Sequence, residues 1–260
     1  MPRTSYFSYD MDISLIGYGK MGRLIEQIAL KRGHRVVCVV DVDNLSDLRS
    51  KAFRSADVAI EFTAPGAAYG LINQALDQDL KVVTGTTGLG APELESLRER
   101  CRSGLATVFH STNFSLGVYL FRKLNVYLAR LMDPYPDYDV TLSEAHHAAK
   151  KDAPSGTAVT LAEELLPNLR RKTAWKLASV TTPDGTTPAS AELAPTDLRV
   201  TSLREGQIVG RHTITYSSSF DTITITHDAR DRAAFAFGAV LAAEYTASHT
   251  GWLTMDDLIR

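Results

Sequence analysis

Residues 12–41 read DISLIGYGKMGRLIEQIALKRGHRVVCVVD, and this stretch decides the fold class. Asp12 to Ile16 is a short apolar run that predicts a strand, and Arg35 to Val40 predicts a second one ending at Asp41. Between them Met21 to Lys31 places Leu24, Ile25, Ile28 and Ala29 on one helical face, with Gly33 as the expected C-cap. The turn that joins first strand to helix, Gly17-Tyr18-Gly19-Lys20-Met21-Gly22, has the GxGxxG pattern. Strand, glycine turn, helix N-terminus and an acidic residue nineteen positions after Gly22 are the four parts of a dinucleotide-binding βαβ unit. Backbone N–H groups and the positive helix end then hold a pyrophosphate. Asp41 would accept hydrogen bonds from the adenosine ribose and repel a 2′-phosphate, a lean toward NADH over NADPH. Val42 and Asp43 add no cation, whereas Lys20 could offer one to a phosphate and keeps NADPH open. An empty Rossmann-like turn with a solvated Lys20 is the purely structural alternative.

Val58 to Phe62, Lys81 to Thr84 and Thr107 to Phe109 predict three further strands with amphipathic stretches between them, the alternation of a doubly wound parallel sheet. After Phe114 the rhythm changes. A helix is expected from Leu116 to Met132, ending at Asp133-Pro134, and strands dominate from Asp139 onward, including Leu198 to Leu203. His212 to Tyr216 and Thr222 to Thr226 read as an antiparallel hairpin with one solvated face. Pro183 to Pro195 reads as a surface loop, and Arg232 to Tyr245 as a buried helix, apolar nearly all round. The expected fold class is α/β: a Rossmann-type doubly wound parallel sheet plus a second α+β domain with a mixed or antiparallel sheet.

The 260 residues are 44% hydrophobic and 22% charged, ordinary for a globular chain. Twenty-eight Lys and Arg against thirty Asp and Glu leave a formal charge of −2, so no global field draws the chain to nucleic acid or an anionic membrane. The most apolar run, Phe235 to Ala243, stops at Glu244, short of the roughly 18 residues of a membrane span. Cys38 and Cys101 lack CxxC spacing, which fits a reducing, cytoplasmic compartment and neither a disulfide scaffold nor structural zinc. Met1 to Asp10 lacks the build of a secretion signal and precedes a second methionine, Met11, so it reads as an extension or a misplaced start.

The second chemical stretch is residues 143–157, SEAHHAAKKDAPSGT. Imidazole is the side chain best suited to exchange a proton near neutral pH, which singles out His146 and His147, and Lys150 could supply a proton or bind a carboxylate. Adjacent histidines without further ligands at usual spacing make a poor metal site, and solvated surface charge is the plain alternative for the lysines. Pro154-Ser155-Gly156-Thr157 then opens a helix through Ala158 to Leu166, whose free N–H groups suit a carboxylate; simple capping by Ser155 is compatible with that. No GxSxG elbow presents a nucleophile.

These blocks, with Val58-Ala59-Ile60-Glu61-Phe62-Thr63-Ala64-Pro65, Gly85-Thr86-Thr87-Gly88, Asn113-Phe114-Ser115-Leu116-Gly117-Val118 and Arg204-Glu205-Gly206 to Gly210-Arg211-His212, resemble the 4-hydroxy-tetrahydrodipicolinate (dihydrodipicolinate) reductase family over nearly the whole chain. The resemblance implies reduction of the cyclic 4-hydroxy acid to tetrahydrodipicolinate with loss of water, by NADH or NADPH, in diaminopimelate and lysine synthesis. It implies that Gly17 to Gly22 wrap the pyrophosphate, Asp41 takes the ribose, and Gly85, Thr86, Thr87, Ser111, Thr112, Asn113 and Phe114 line the nicotinamide half. His146 and Lys150 would be catalytic, while His147, Ser155, Gly156 and Thr157 would bind the dicarboxylate. It further implies hinged domains at 1–112, completed by 232–260, and 113–231, and a homotetramer built through the second sheet. Glu61 stands where Asp is commoner in the family, Ser111-Thr112 replace a small-residue pair, and Val42 replaces a basic residue found in some relatives. A dinucleotide sensor or a dehydrogenase for another amino or imino acid are the competing readings; His146, Lys150 and the Ser155-Gly156-Thr157 turn count against both.

Overall fold

The computed structural model describes residues 10–188 and 192–259, so nearly all of the proposed N-terminal extension lies outside the described residues. In chain order the elements are β1 (Asp12–Ile16), α1 (Lys20–Arg32), β2 (Arg35–Val40), α2 (Lys51–Arg54), β3 (Val58–Glu61), α3 (Pro65–Leu76), β4 (Lys81–Thr84), α4 (Ala91–Arg102), β5 (Thr107–His110), α5 (Leu116–Met132) and β6 (Asp139–His146). There follow α6 (Gly156–Leu165), β7 (Ala174–Thr182), β8 (Gly185–Pro188), β9 (Asp197–Arg204), β10 (Gly210–Ser217), β11 (Thr222–Ala229), α7 (Ala233–Ser248), β12 (Gly251–Leu253) and α8 (Met255–Leu258). Two compact units result, one from the described parts of Met1–Leu116 and Ala233–Arg260, the other Gly117–Arg232.

The first unit is a six-stranded sheet of order β12-β5-β4-β3-β1-β2 in which every pairing is parallel. Its central strands are apolar on both faces: Val58, Ala59 and Ile60 of β3 and Val82 and Val83 of β4 are all buried, as expected where helices cover a parallel sheet. The Rossmann-type expectation is met, with β12 added to the five strands expected. Helix α1 ends as the sequence indicates, at Gly33 with φ +97°, whose N–H caps the Ala29 and Leu30 carbonyls.

Helix α7 packs on α1 and along β3, β4 and β5. It buries Ala236 and the run Gly238 to Thr246, which explains its lack of a polar face. The one carboxylate in that run, Glu244, takes a two-pronged bond from Arg32 (2.6 and 2.8 Å) and lies 2.8 Å from His34 Nε2. The far end of α7 is closed by Lys81, whose Nζ donates to the carbonyls of Thr246, Ala247 and His249.

The second unit is a mixed sheet of order β11-β10-β6-β9-β7-β8, with β6–β9 and β7–β9 parallel and the other pairs antiparallel. Along β6, Val140, Leu142 and Glu144 are buried while Thr141 and Ser143 are exposed, the alternation of a sheet covered on one face. The covered face packs Val140, Leu142, Val200, Ile214 and Tyr216 against Phe121 and Met132 of α5 and Leu161 and Leu165 of α6. The surface loop expected over Pro183 to Pro195 is corrected in part: Gly185–Pro188 forms β8, antiparallel to β7, and residues 189–191 lie outside the described residues. Pro188 is admissible there because β8 is an edge strand, where a missing N–H costs no ladder bond.

Candidate active site

Because all strands of the first sheet run in parallel, the residues following β1, β2, β3, β4 and β5 meet at its carboxyl edge, the binding edge of open α/β sheets. There a cavity of about 430 Å³ is lined by Gly17, Tyr18, Gly19, Asp41, Val42 and Thr63 among others. Two of the three glycines of the turn, Gly17 and Gly22, are required by space. Gly17 has φ +93°, and a Cβ on it would sit 2.2 Å from the Phe62 carbonyl oxygen. A Cβ on Gly22 would sit 2.2 Å from the Gly17 oxygen, whereas Gly19 meets nothing within 4 Å and faces open space. Gly19 caps α1 without a side-chain bond and no acidic residue stands in the first turn, so the first-turn N–H groups remain available to an anion. Met21 is half-buried, and Lys20 is exposed. Tyr18 is held on two sides, its hydroxyl bonded to Glu26 and its ring 4.5 Å beneath the Arg23 guanidinium. Asp41 is half-buried among the residues that line the cavity, and its Oδ1 accepts from the Val42 N–H.

Further along the same edge, Glu61 is fully buried and gathers four donors. The Thr63 N–H (2.8 Å), the Thr63 hydroxyl (2.5 Å), Thr84 Oγ1 (2.6 Å) and Thr86 Oγ1 (2.6 Å) all converge on its carboxyl group. One side chain thus ties the ends of β3 and β4 together. Gly85 is compressed beneath the Phe62 ring, 2.2 Å from where its Cβ would stand, while Thr87 is exposed. After β5, Ser111 Oγ donates to the Asn113 carbonyl at 2.8 Å and Asn113 Oδ1 accepts from the Ser115 N–H at 2.9 Å, with Thr112 exposed between them. Phe114 is buried between Phe62 and Phe109, with ring centroids at 5.7 and 5.8 Å. Its backbone is pressed against α7: a Cβ on Gly238 would lie 1.7 Å from the Phe114 oxygen.

In the second unit, strand register assembles a compact cluster around His146. Antiparallel β6–β10 pairing sets His212 opposite Glu144, and parallel β6–β9 pairing sets Arg204 opposite His146. His146 Nδ1 lies 2.5 Å from Glu144 Oε2, and the other oxygen of Glu144 accepts from Arg204 at 2.7 Å. Arg204 also donates to the carbonyls of Leu203 (2.7 Å) and Asp152 (2.6 Å). Burial pushes the Glu144 carboxyl up, but the bonds from His146 and Arg204 outweigh it and hold it down at about 2. His212 stands edge-on to His146 at 5.4 Å, and burial together with that neighbour pushes it down to about 4.

Lys150 Nζ bonds both oxygens of Asp152 (2.7 and 2.9 Å), which holds the Asp152 carboxyl below its ordinary range. Ser155 caps α6 by accepting from the Ala158 N–H at 3.3 Å and lies 3.2 Å from His212 Nε2. Gly156 is exposed and His147 and Thr157 are half-buried. His146, Lys150 and Ser155 are thereby brought together through shared neighbours, Arg204 with Asp152 on one side and His212 on the other. In the sequence Glu144, Arg204, Asp152 and His212 stand out only as members of longer motifs. Among the described residues no three His, Cys, Asp or Glu side chains are grouped so as to hold a metal ion, and no helix is long and apolar enough to cross a membrane.

A glycine cradle at the carboxyl edge of a Rossmann sheet, joined in one chain to a unit carrying a carboxylate-clamped histidine, defines a two-domain oxidoreductase of the pyridine-nucleotide class. Residues 11–114 match the N-terminal part of dihydrodipicolinate reductase and residues 117–259 its C-terminus, so the chain belongs to the dihydrodipicolinate reductase family. A 4-hydroxy-tetrahydrodipicolinate reductase of Christiangramia forsetii is 39% identical over 249 residues, 96% of this chain and 98% of the relative. The enzyme of the same name from Staphylococcus haemolyticus is 32% identical over 95% of this chain and the whole of the relative. The solved structure of a dipicolinate-bound dihydrodipicolinate reductase from Paenisporosarcina sp. TG-14 shares the fold, with a TM-score of 0.75 over 97% of this chain and 100% of that one, at 20% identity.

Proposed function

We propose that the chain reduces 4-hydroxy-tetrahydrodipicolinate to tetrahydrodipicolinate with loss of water, at the expense of NADH or NADPH, in the diaminopimelate and lysine route. The observation that carries this reading is the cluster of His146, Lys150 and the α6 N-terminus, a proton-exchanging group beside two anion-binding ones. The cavity and glycine turn of the first unit fit the dinucleotide: Gly17 to Gly22 with the α1 N-terminus take the pyrophosphate, and Asp41 takes the ribose hydroxyls. Gly85 to Thr87 and Ser111 to Phe114 line the nicotinamide half. When bound, the reduced nicotinamide supplies the hydride.

The chain's own residues do the rest. His147, Lys150 and the N–H groups of Ser155, Gly156 and Thr157 bind and orient the two carboxylates. Hydride addition to a conjugated imine leaves negative charge on the ring, and His146, with Lys150 beside it, delivers the balancing proton. Asp152 holds the Lys150 ammonium in place for that role. NADH is the favoured donor, since Asp41 lines the cavity and the exposed Val42 brings no cation for a 2′-phosphate.

Steady-state oxidation of NADH with freshly generated substrate tests this reading, with dipicolinate as competitor. Dipicolinate is expected to inhibit and Lys150→Met to weaken that inhibition by about tenfold or more, the loss of one charge-assisted contact; inhibition unchanged in the variant would remove Lys150 from the carboxylate site. We further propose a cytoplasmic homotetramer joined through the uncovered face of the second sheet, which carries Ser143, Thr201 and Thr213 around a shallow hollow of about 390 Å³. Light scattering at one quarter of that mass would refute the assembly.

A further inference from the structure

We propose that Glu144, anchored by Arg204, is a positioning residue that keeps the proton of neutral His146 on Nδ1 and leaves Nε2 as the nitrogen that exchanges protons with substrate. The inference deepens the reading of His146 as the acid and rests on it. It starts from a carboxyl group with both oxygens committed: Oε2 lies 2.5 Å from His146 Nδ1 and Oε1 lies 2.7 Å from an Arg204 nitrogen. Glu144 and Arg204 are each 2% exposed, so neither charge is compensated by water and the pair must be ionised together. An ionised carboxylate only accepts hydrogen bonds, so the Nδ1 that faces it is the donor. The neutral ring then carries its lone pair on Nε2.

The surroundings support that assignment. Arg204 cannot drift from Glu144, because its other bonds run to the backbone carbonyls of Leu203 and Asp152. On the opposite side of the ring stands Gly210, where a Cβ would come within 3.0 Å of His146 Nε2; the glycine keeps that nitrogen unobstructed. The other titratable and charged groups around the ring are His212 on β10 and the Lys150–Asp152 pair. His212 and Glu144 are both held far below neutrality, so neither takes up a proton near pH 7. The arrangement is the orienting half of a general acid–base dyad, in which the carboxylate sets the tautomer and stabilises the imidazolium without itself taking the proton.

Two readouts test it on the full-length protein. In 15N-histidine-labelled protein at a pH above the ordinary histidine range, the His146 signals, assigned by their loss in His146→Gln, should show a protonated Nδ1 and a bare Nε2. Glu144→Gln can turn its amide N–H toward the ring, so its His146 should shift to the Nε2–H form, while Glu144→Asp, which keeps the charge, should retain Nδ1–H. In turnover, Glu144→Gln should lower kcat by about a hundredfold, with KM for the dicarboxylate changed by less than about threefold. A wild-type His146 protonated on Nε2 overturns the inference whether or not the Glu144 variants fold. So does a Glu144→Gln protein that keeps its kcat while His146→Gln loses it. Full turnover by His146→Gln would instead remove the catalytic reading of His146, a separate failure that leaves the tautomer measurement standing.

Discussion

Replacing Gly238 by alanine sets two effects of opposite sign against each other, and the structure decides which wins. Gly238 lies inside α7, a 16-residue helix, where exchanging glycine for alanine ordinarily gains about 1 kcal/mol of helix propensity. At this position the added Cβ would stand 1.7 Å from the Phe114 carbonyl oxygen and 2.8 Å from its carbonyl carbon. Both are backbone atoms, so no rotamer change relieves the contact, and either α7 or the loop after β5 must move by more than an ångström. Overpacking a close-packed interior costs about 1–3 kcal/mol, and a collision with backbone belongs at the upper end. The net expectation is a destabilisation of about 2 kcal/mol, or a Tm lower by roughly 4–8 °C for a chain of this size. The displaced segment carries Phe114, which packs on Phe62 and Phe109, so KM for NADH should rise by severalfold as well. Thermal melts followed by circular dichroism, with KM measured well below the melt, check both. A Tm equal to or above wild type would show that the Phe114 backbone does not resist the added methyl group.

Other perturbations follow from the same geometry. Asp41→Ser combined with Val42→Arg should move the NADPH-to-NADH ratio of kcat/KM by about tenfold or more toward NADPH, since it removes an anion and adds a cation beside the ribose; an unchanged ratio in initial-rate assays would take Asp41 off the ribose. Glu61→Leu should cost about 3–5 kcal/mol in urea unfolding, because at least two of its four donors lose their acceptor at about 1–3 kcal/mol each; a cost below about 1 kcal/mol would show that the threonines re-pair among themselves. Glu244→Gln should destabilise by about 3 kcal/mol at neutral pH by leaving Arg32 and His34 without their buried anion. Burial pushes the Glu244 carboxyl up, but the bonds from His34 and Arg32 prevail and hold it below its ordinary value. Its folded pKa is therefore the lower one, and its contribution is complete above the unfolded carboxylate pKa of about 4.3 and lost as pH falls through the folded value. The gap between wild type and Glu244→Gln in urea midpoints should accordingly close below about pH 4; a constant gap would contradict the ion pair's role.

The parts of the molecule legible in the sequence are those whose signal is local. The strand, glycine turn and helix of residues 12–33 can be read because periodicity, turn chemistry and cap coincide within one stretch. The strands β3 and β4 are legible as apolar runs because both faces are covered. By contrast β12 is three residues long and becomes a strand only by lying beside β5, and β8 follows Pro183-Asp184 in a Thr- and Pro-rich stretch that locally signals a loop. The site divides in the same way. His146, His147 and Lys150 stand out because they crowd one segment, and the glycines because they follow a pattern. Arg204 and His212 lie 60 and 57 residues from Glu144 and Ser155, the groups they bond, and only strand register brings them there. Glu144 looks like any strand glutamate until that register surrounds it, and Gly238 looks like a helix defect until Phe114 is seen against it.

Whether the chain is a reductase whose proton passes through His146 is decided by mixing purified protein and NADH, or NADPH in a parallel run, with the freshly made product of the preceding synthase, using His146→Gln as control. Rapid oxidation by wild type, faster with NADH, and its collapse in the variant despite undiminished NADH binding is the expected result. Binding of both cofactors without oxidation by the wild type, or equal oxidation by His146→Gln, would contradict it.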